Sequence, residues 1–182
     1  MKNILVITGS PRKDGNTDLL ANAFIEGAKK AGNKTMLFDA GKAKIKGCTA
    51  CNTCFKNGHA CSANDDFNKL APLLETADII VFCTPLYWFS FSAQLKAAID
   101  KMYSFSFAQK KLKVTETILM ICAETEDKKD FEGIIKSYKL ILNYQKWTNR
   151  KIVTVPHVNN VGDIKNTNAL KAAKKLGASI KD

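Results

Sequence analysis

Histidine and proline are scarce in this chain, and acidic residues are heavily outnumbered. Its 182 residues include two His, four Pro and 17 Asp+Glu against 28 Lys+Arg. His59 and His157 are the only histidines, no Ser-His-Asp constellation is recognisable around either, and a surface or structural role is expected for both. Recognisable paired carboxylates are also missing. The longest uncharged apolar stretch, "IIVFCTPLYWFSFSAQL", is broken by Pro and polar residues and falls short of the ~20 apolar residues a membrane helix needs. No small-residue cleavage site follows "MKNILVITG", so a cytoplasmic protein without a leader is expected. Linkers, internal repeats and low-complexity tracts are absent as well. A Walker phosphate loop and the GxGxxG dinucleotide fingerprint cannot be found. The formal charge of +11 excludes an acidic shuttle that docks on basic partners and favours anionic ligands. Because the lysines are scattered over helix faces ("GAKKAG", "KAAKKLG"), nucleic-acid binding is not the expected use of that charge.

What the chain does have is a composition, 46% hydrophobic and 25% charged, that suits one domain with a real core. Five aliphatic runs read as strands: residues 3–8, 34–39, 78–83, 117–123 and 151–155. Several are continuous rather than alternating, as in strands covered on both faces. Helical spacing near 3.6 follows them, marked by Leu20, Phe24 and Ala28, by Leu95, Ile99 and Met102, by Phe131, Ile134, Tyr138 and Leu142, and by Leu170, Ala173 and Leu176. The alternation predicts a doubly wound α/β sandwich. One segment departs from it. A Cys-rich insertion at about 41–64 precedes the helix expected in "NDDFNKLAPLLETA", where Pro72 is expected to kink or shorten it.

Two loops carry the ligand chemistry. "TGSPRKDGNT" (8–17) runs from the first strand into the first helix and offers hydroxyls and backbone N–H groups at a helix N-terminus, with Arg12 and Lys13 beside it. Five residues separate Gly9 from Gly15, and Asn-Thr follows, so the site suits a monophosphate such as that of flavin mononucleotide. "TPLYWFSFSAQLKAAIDKMY" (84–103) leaves the third strand with Pro85, Leu86, Tyr87 and Trp88, a planar and apolar surface for a flat heteroaromatic ring. For strand order 2-1-3-4-5, the switch point lies between strands 1 and 3, where these loops meet. Phe89 and Phe91 read equally well as core. Cys83 and Cys122 read as small core residues.

Cys48, Cys51, Cys54 and Cys61 have the spacing C-x2-C-x2-C-x6-C. Three thiolates at intervals of three with a fourth after a short excursion can wrap a [4Fe-4S] cluster. Ser62 stands where ferredoxin runs carry Pro, so free thiols and a labile disulfide stay open; zinc stays open on its donors alone, since structural zinc sites usually separate two Cys pairs by a longer spacer.

With "GSPRKDGNT", "PLYWFSFSAQLKAAIDK", "VGDI" and "ALKAAKKLG", the chain resembles the NAD(P)H-dependent FMN reductase family over essentially its full length. The resemblance implies a single flavodoxin-like domain over 1–182, a three-layer sandwich around a five-stranded parallel sheet of order 2-1-3-4-5. It implies bound FMN, with the phosphate on Ser10, Arg12, Asn16 and Thr17. The isoalloxazine would lie against Pro85, Leu86, Tyr87 and Trp88, with a further contact near Ala123 and Glu124. Hydride transfer from NAD(P)H through FMN to a small acceptor such as a quinone or flavin follows from it, with no dedicated catalytic acid or base, and so does a homodimer. The cysteine motif also resembles the iron-sulfur flavoprotein branch, in which a cluster relays electrons between a ferredoxin-like donor and an acceptor. A reading of another class is a non-catalytic module binding anions or nucleic acid.

Overall fold

The computed structural model describes residues 1–181. Among them, β1 (Asn3–Thr8), β2 (Lys34–Asp39), β3 (Ile79–Pro85), β4 (Glu116–Cys122) and β5 (Thr148–Val155) form a parallel sheet of order β2-β1-β3-β4-β5. This is the expected architecture, and the strand bounds differ from the sequence reading most at β5. That edge strand starts at Thr148, because polar Thr148 and Asn149 still pair with Glu116 and Thr117 before a register shift.

Among the described residues, six α-helices flank the sheet: α1 (Asn16–Lys30), α2 (Phe67–Thr76), α3 (Ala93–Lys101), α4 (Tyr103–Phe107), α5 (Glu132–Gln145) and α6 (Ala169–Ala178). On one face, Leu5, Ile7, Ile80, Phe82, Leu119 and Ile121 pack with α2, α3 and α5. On the other, Ile4, Val6, Ile79, Val81, Ile118 and Met120 pack with α1 and α6. Each such side chain contributes roughly 1.5–3 kcal/mol when fully buried. Both faces therefore fix the strand register, and the near-continuous apolar runs are explained.

α2 starts at Phe67 rather than at residue 64, because Asp65 and Asp66 spend their carboxylates on the backbone of the preceding loop. Pro72 sits inside α2, where it lacks the N–H for one ladder bond, and the helix ends four residues later. No helix among the described residues is long and apolar enough to cross a membrane.

At the C-terminal edge of the sheet, each loop is pinned just past its strand. Gly9 N donates to Cys83 O (2.9 Å), Leu86 N to Cys122 O (2.8 Å) and Ala123 N to Val155 O (2.9 Å). Gly9 also allows a close approach. A β-carbon there would stand 2.6 Å from Ser92 Oγ and 2.7 Å from Leu95 Cβ. Leu95 Cβ cannot swing aside, so Gly9→Ala is expected to destabilise the fold by about 1–3 kcal/mol through overpacking. The check is urea unfolding, with a lower midpoint and an unchanged slope.

Candidate functional site

Three loops of that edge, together with the segment after β5, enclose a cavity of about 210 Å³. Ser10, Arg12, Asn16 and Thr17 line it from the β1–α1 loop, Pro85, Leu86 and Tyr87 from the β3–α3 loop, and Ala123 and Glu124 from the loop after β4. Val158 and Asn159 close the remaining side.

One end is built for an anion. Gly15 is the N-cap of α1 and brings no side chain to that end of the helix. A β-carbon on Gly15 would stand 3.3 Å from Arg12 Cβ and 3.5 Å from Ser10 Oγ, so the glycine keeps the cradle open. The hydroxyl residues Ser10 and Thr17 are buried at 3% and 2% exposure. Ser10 Oγ accepts from Arg12 N (3.2 Å), and Arg12 reaches across to donate to Asn159 O (2.6 Å). With the positive end of a four-turn helix, this set can hold a phosphate.

Asn16 does something the sequence did not reveal. Its Oδ1 accepts from Gly162 N (3.1 Å) and Ile164 N (3.2 Å), and its Nδ2 donates to Asn160 O (2.9 Å). The side chain is thus committed to holding the 160–164 loop against α1. Its second Nδ2 hydrogen and its backbone N–H are what it has left to offer a ligand in the cavity it lines. The "VGDI" tetrapeptide was the visible signal of this loop, but its partner lies 144 or more residues away.

The other end is flat and apolar, from Pro85 to Tyr87. Trp88 does not line the 210 Å³ cavity as the sequence reading had it. It is 93% exposed and borders a wider adjoining space of about 700 Å³, together with Phe89, Glu124, Thr125 and Asp130. The cause is a two-residue hairpin. Tyr87 N donates to Ser90 O (3.1 Å) and Ser90 N to Tyr87 O (3.0 Å), leaving Trp88 and Phe89 at φ +43° and +60°. Such turns normally take Gly or Asn, and strain of about 1–3 kcal/mol per residue marks positions held for use. Gly133 of α5 makes room for the hairpin, since a β-carbon there would stand 2.8 Å from Phe89 O. Cys122 also lines the inner cavity, but burial pushes its thiol up to about 12, so it presents neutral surface. His59 and His157 are both exposed.

The four clustered cysteines occupy a different place. Cys48, Cys51, Cys54 and Cys61 all line one cavity of about 90 Å³, which shares no lining residue with the two spaces above. Left-handed residues Ala50 (φ +52°), Asn52 (+52°) and Phe55 (+59°) coil the backbone between and just after the first three. Phe55 anchors the coil by an edge contact with Phe105 (5.6 Å). Burial, with the neighbouring Cys61, Cys51 and Cys48 charges, pushes the Cys54 thiol up. Four thiols lining one cavity are by their chemistry the donor set of a four-thiolate centre, although among the described residues no three Cys, His, Asp or Glu side chains are already grouped as a metal requires. Cys51 is distinct. Hydrogen bonds from Thr53 (Sγ to Oγ1 3.0 Å) and Ser62 (3.6 Å) lower its thiol to about 6.

Among known proteins, a family profile described as NADPH-dependent FMN reductase matches residues 2–126. An iron-sulfur flavoprotein of Archaeoglobus fulgidus is 33% identical over 99 residues, 54% of this chain and 44% of that one. Another, from Methanosarcina thermophila, is 33% identical over 95 residues, 52% of this chain and 49% of that one. The chain spans about half the length of these curated relatives in the matched region. An NAD(P)H:quinone oxidoreductase from Methanothermobacter marburgensis superposes over 100% of this chain and 96% of its own with TM-score 0.79 at 16% identity, a likeness of fold.

The low Cys51 thiol has a direct readout. In reduced, metal-free protein, iodoacetamide alkylation of Cys51, followed by peptide mass spectrometry, is expected to rise with a midpoint near pH 6, because the lowered thiol is already thiolate above that pH. Thr53→Val removes the largest cause and is expected to move the midpoint upward. An unmoved midpoint contradicts the assignment.

Proposed function

The chain belongs to the NADPH-dependent FMN reductase family, and from that premise we propose that it is an FMN-dependent oxidoreductase whose flavin lies in the 210 Å³ cavity. The observation that carries this reading is the convergence of three loops from separate strands on one cavity with an anion cradle at one end and a flat apolar wall at the other. Ser10, Thr17, Arg12 and the first N–H groups of α1 would hold the phosphate. Pro85, Leu86 and Tyr87 would support the ring, and the backbone near Ala123 and Glu124 would meet its polar edge.

When bound, FMN would accept hydride from NAD(P)H and pass electrons to a small acceptor such as a quinone or another flavin. The residues' share of the work is placement. The space beside Trp88 and Phe89, bordered by Glu124, Thr125 and Asp130, adjoins the flavin cavity and is large enough for a second planar ligand. Trp88 and Phe89 give that ligand an aromatic face. Arg12 borders both spaces, so one cation serves the phosphate end and the approach to the ring.

The cradle assignment is tested by a ligand that lacks the phosphate. A Ser10→Ala/Thr17→Val double variant removes two hydrogen bonds to an anion and is expected to weaken FMN binding about 10- to 100-fold in a fluorescence titration, while riboflavin binding stays within about threefold. Equal losses for both ligands would place the phosphate elsewhere. Anaerobic stopped-flow mixing with NADPH or NADH then reads the oxidoreductase itself as bleaching of the flavin band, and a flavin that stays oxidised with both refutes hydride transfer.

A second reading is favoured by the cysteine cavity. Relatives bear the name iron-sulfur flavoprotein, and here the four thiols line one cavity. We propose that Cys48, Cys51, Cys54 and Cys61 ligate a [4Fe-4S] cluster that would supply one-electron transfer. Protein purified without oxygen is expected to contain about four irons per chain and to absorb broadly near roughly 400 nm beyond the flavin bands. Iron-free protein after anaerobic reconstitution refutes it.

A further inference from the structure

Lys101 is an anomaly among the lysines of this chain. It ends α3, yet its side chain is only 2% exposed, and its Nζ donates to Asp65 Oδ2 at 2.5 Å and to Cys61 Sγ at 3.5 Å. It also lines the four-cysteine cavity. Its partner is buried too, at 5% side-chain exposure.

Asp65 closes the neck of the cysteine loop. Its carboxylate accepts from Lys46 N (3.0 Å), where the loop begins, and from Phe67 N (3.1 Å), where the loop has ended. Asp66 repeats the tie one step further out, accepting from Lys44 N (2.8 Å) through its side chain and donating its own N–H to Lys44 O (3.2 Å). Asn68 fixes the last cysteine, accepting from Cys61 N (2.9 Å) and donating to Cys61 O (2.9 Å). Lys101 enters beneath this neck from another element and reaches the one cysteine whose backbone is already clamped.

We propose that Lys101 is the positioning residue of the cysteine cavity, holding Cys61 toward it and supplying the buried positive charge against which a thiolate-bound metal centre is stabilised. The inference rests on the reading of the cavity as a metal site. Four thiolates around a divalent cation leave a net negative charge, and a cluster with four thiolate ligands does as well. An ammonium within hydrogen-bond reach of one sulfur offsets that charge and orients the ligand, which is how groups behind metal ligands tune affinity. The scattered surface lysines cannot substitute, since solvent screens them.

The test uses Cd2+ as the probe, added to reduced, FMN-loaded, iron-free protein under anaerobic conditions and read by thiolate-to-cadmium charge-transfer absorption. Lys101→Met is expected to weaken Cd2+ binding about 10- to 100-fold, Lys101→Arg to recover most of the loss, and Lys96→Met, a half-exposed lysine of the same helix paired with Asp100, to bind as the wild type does. Because Lys101→Met strands a buried carboxylate, Asp65→Asn/Lys101→Met removes both charges together, and it is expected to show the same weakening in protein whose FMN affinity is normal. Wild-type affinity in Lys101→Met or in the double variant overturns the proposal, as does equal weakening in Lys96→Met. Iron and sulfide reconstitution run in parallel separates the two readings: Lys101-dependent Cd2+ binding in protein that takes up no iron removes the cluster and leaves the role of Lys101 standing.

Discussion

A single contact organises the loops around the 210 Å³ cavity: the Ser92 hydroxyl donates to the Gly9 carbonyl at 2.6 Å, in a gap that exists because Gly9 has no β-carbon. Ser92 is also the N-cap of α3, accepting from Leu95 N, and its own N–H donates to Thr84 Oγ1. The end of β1, the end of β3 and the start of α3 thus meet within one buried polar cluster. The phosphate-side loop and the ring-side loop share this cluster, so neither can shift without the other. Their separation is set by packing rather than by ligand, which is the preorganisation a noncovalent cofactor site needs.

How much of this was legible in the sequence depended on the range of the interaction. Continuous apolar strands, 3.6-residue spacing and loops of the "GSPRKDGNT" and "PLYW" kind are local patterns, so the α/β alternation and the two main cavity loops could be read from them, whereas the strand order and the contact at Ala123 and Glu124 came only with the family resemblance. Asn16 was legible as a residue of the phosphate loop but not as the anchor of a segment more than 140 residues away, because an asparagine at a helix start looks alike in both roles. Trp88 was placed by its neighbours in sequence. What moved it outward was a turn type with two left-handed residues, which a Trp-Phe pair gives no reason to expect, since the residues that signal such turns are Gly and Asn. Lys101 was hidden for a simpler reason. In a chain of 28 basic residues, one more lysine near the end of a helix reads as a favourable charge on the macrodipole.

α3 connects the two cavities mechanically. Its N-cap, Ser92, belongs to the polar cluster that ties the β1–α1 and β3–α3 loops, and its last residue, Lys101, lies under the cysteine loop. Nine residues of rise, about 14 Å at 1.5 Å each, separate them. The 210 Å³ cavity is lined without any residue of the cysteine insertion, and the insertion is held by its own neck and by Lys101. The two cavities thus share a helix but no lining residue.

The energetics of the Lys101–Asp65 pair argue that it is there for more than stability. Withdrawing two charges from water costs several kcal/mol per ion, and well-packed apolar residues of similar volume are often neutral or better for the fold. The surroundings offer such a solution: Ile99, Met102 and Phe105 are buried within four residues of Lys101, so an apolar residue there would extend an existing core. A charge kept at this position against that alternative needs a compensating interaction. Asp65 supplies part of it, but Asp65 already receives two backbone N–H groups and could close the loop's neck without Lys101. What the ammonium uniquely reaches is the Cys61 sulfur. The proposed centre accounts for that cost, because a sulfur that shares its negative charge gives the buried ammonium a second anionic partner beside Asp65.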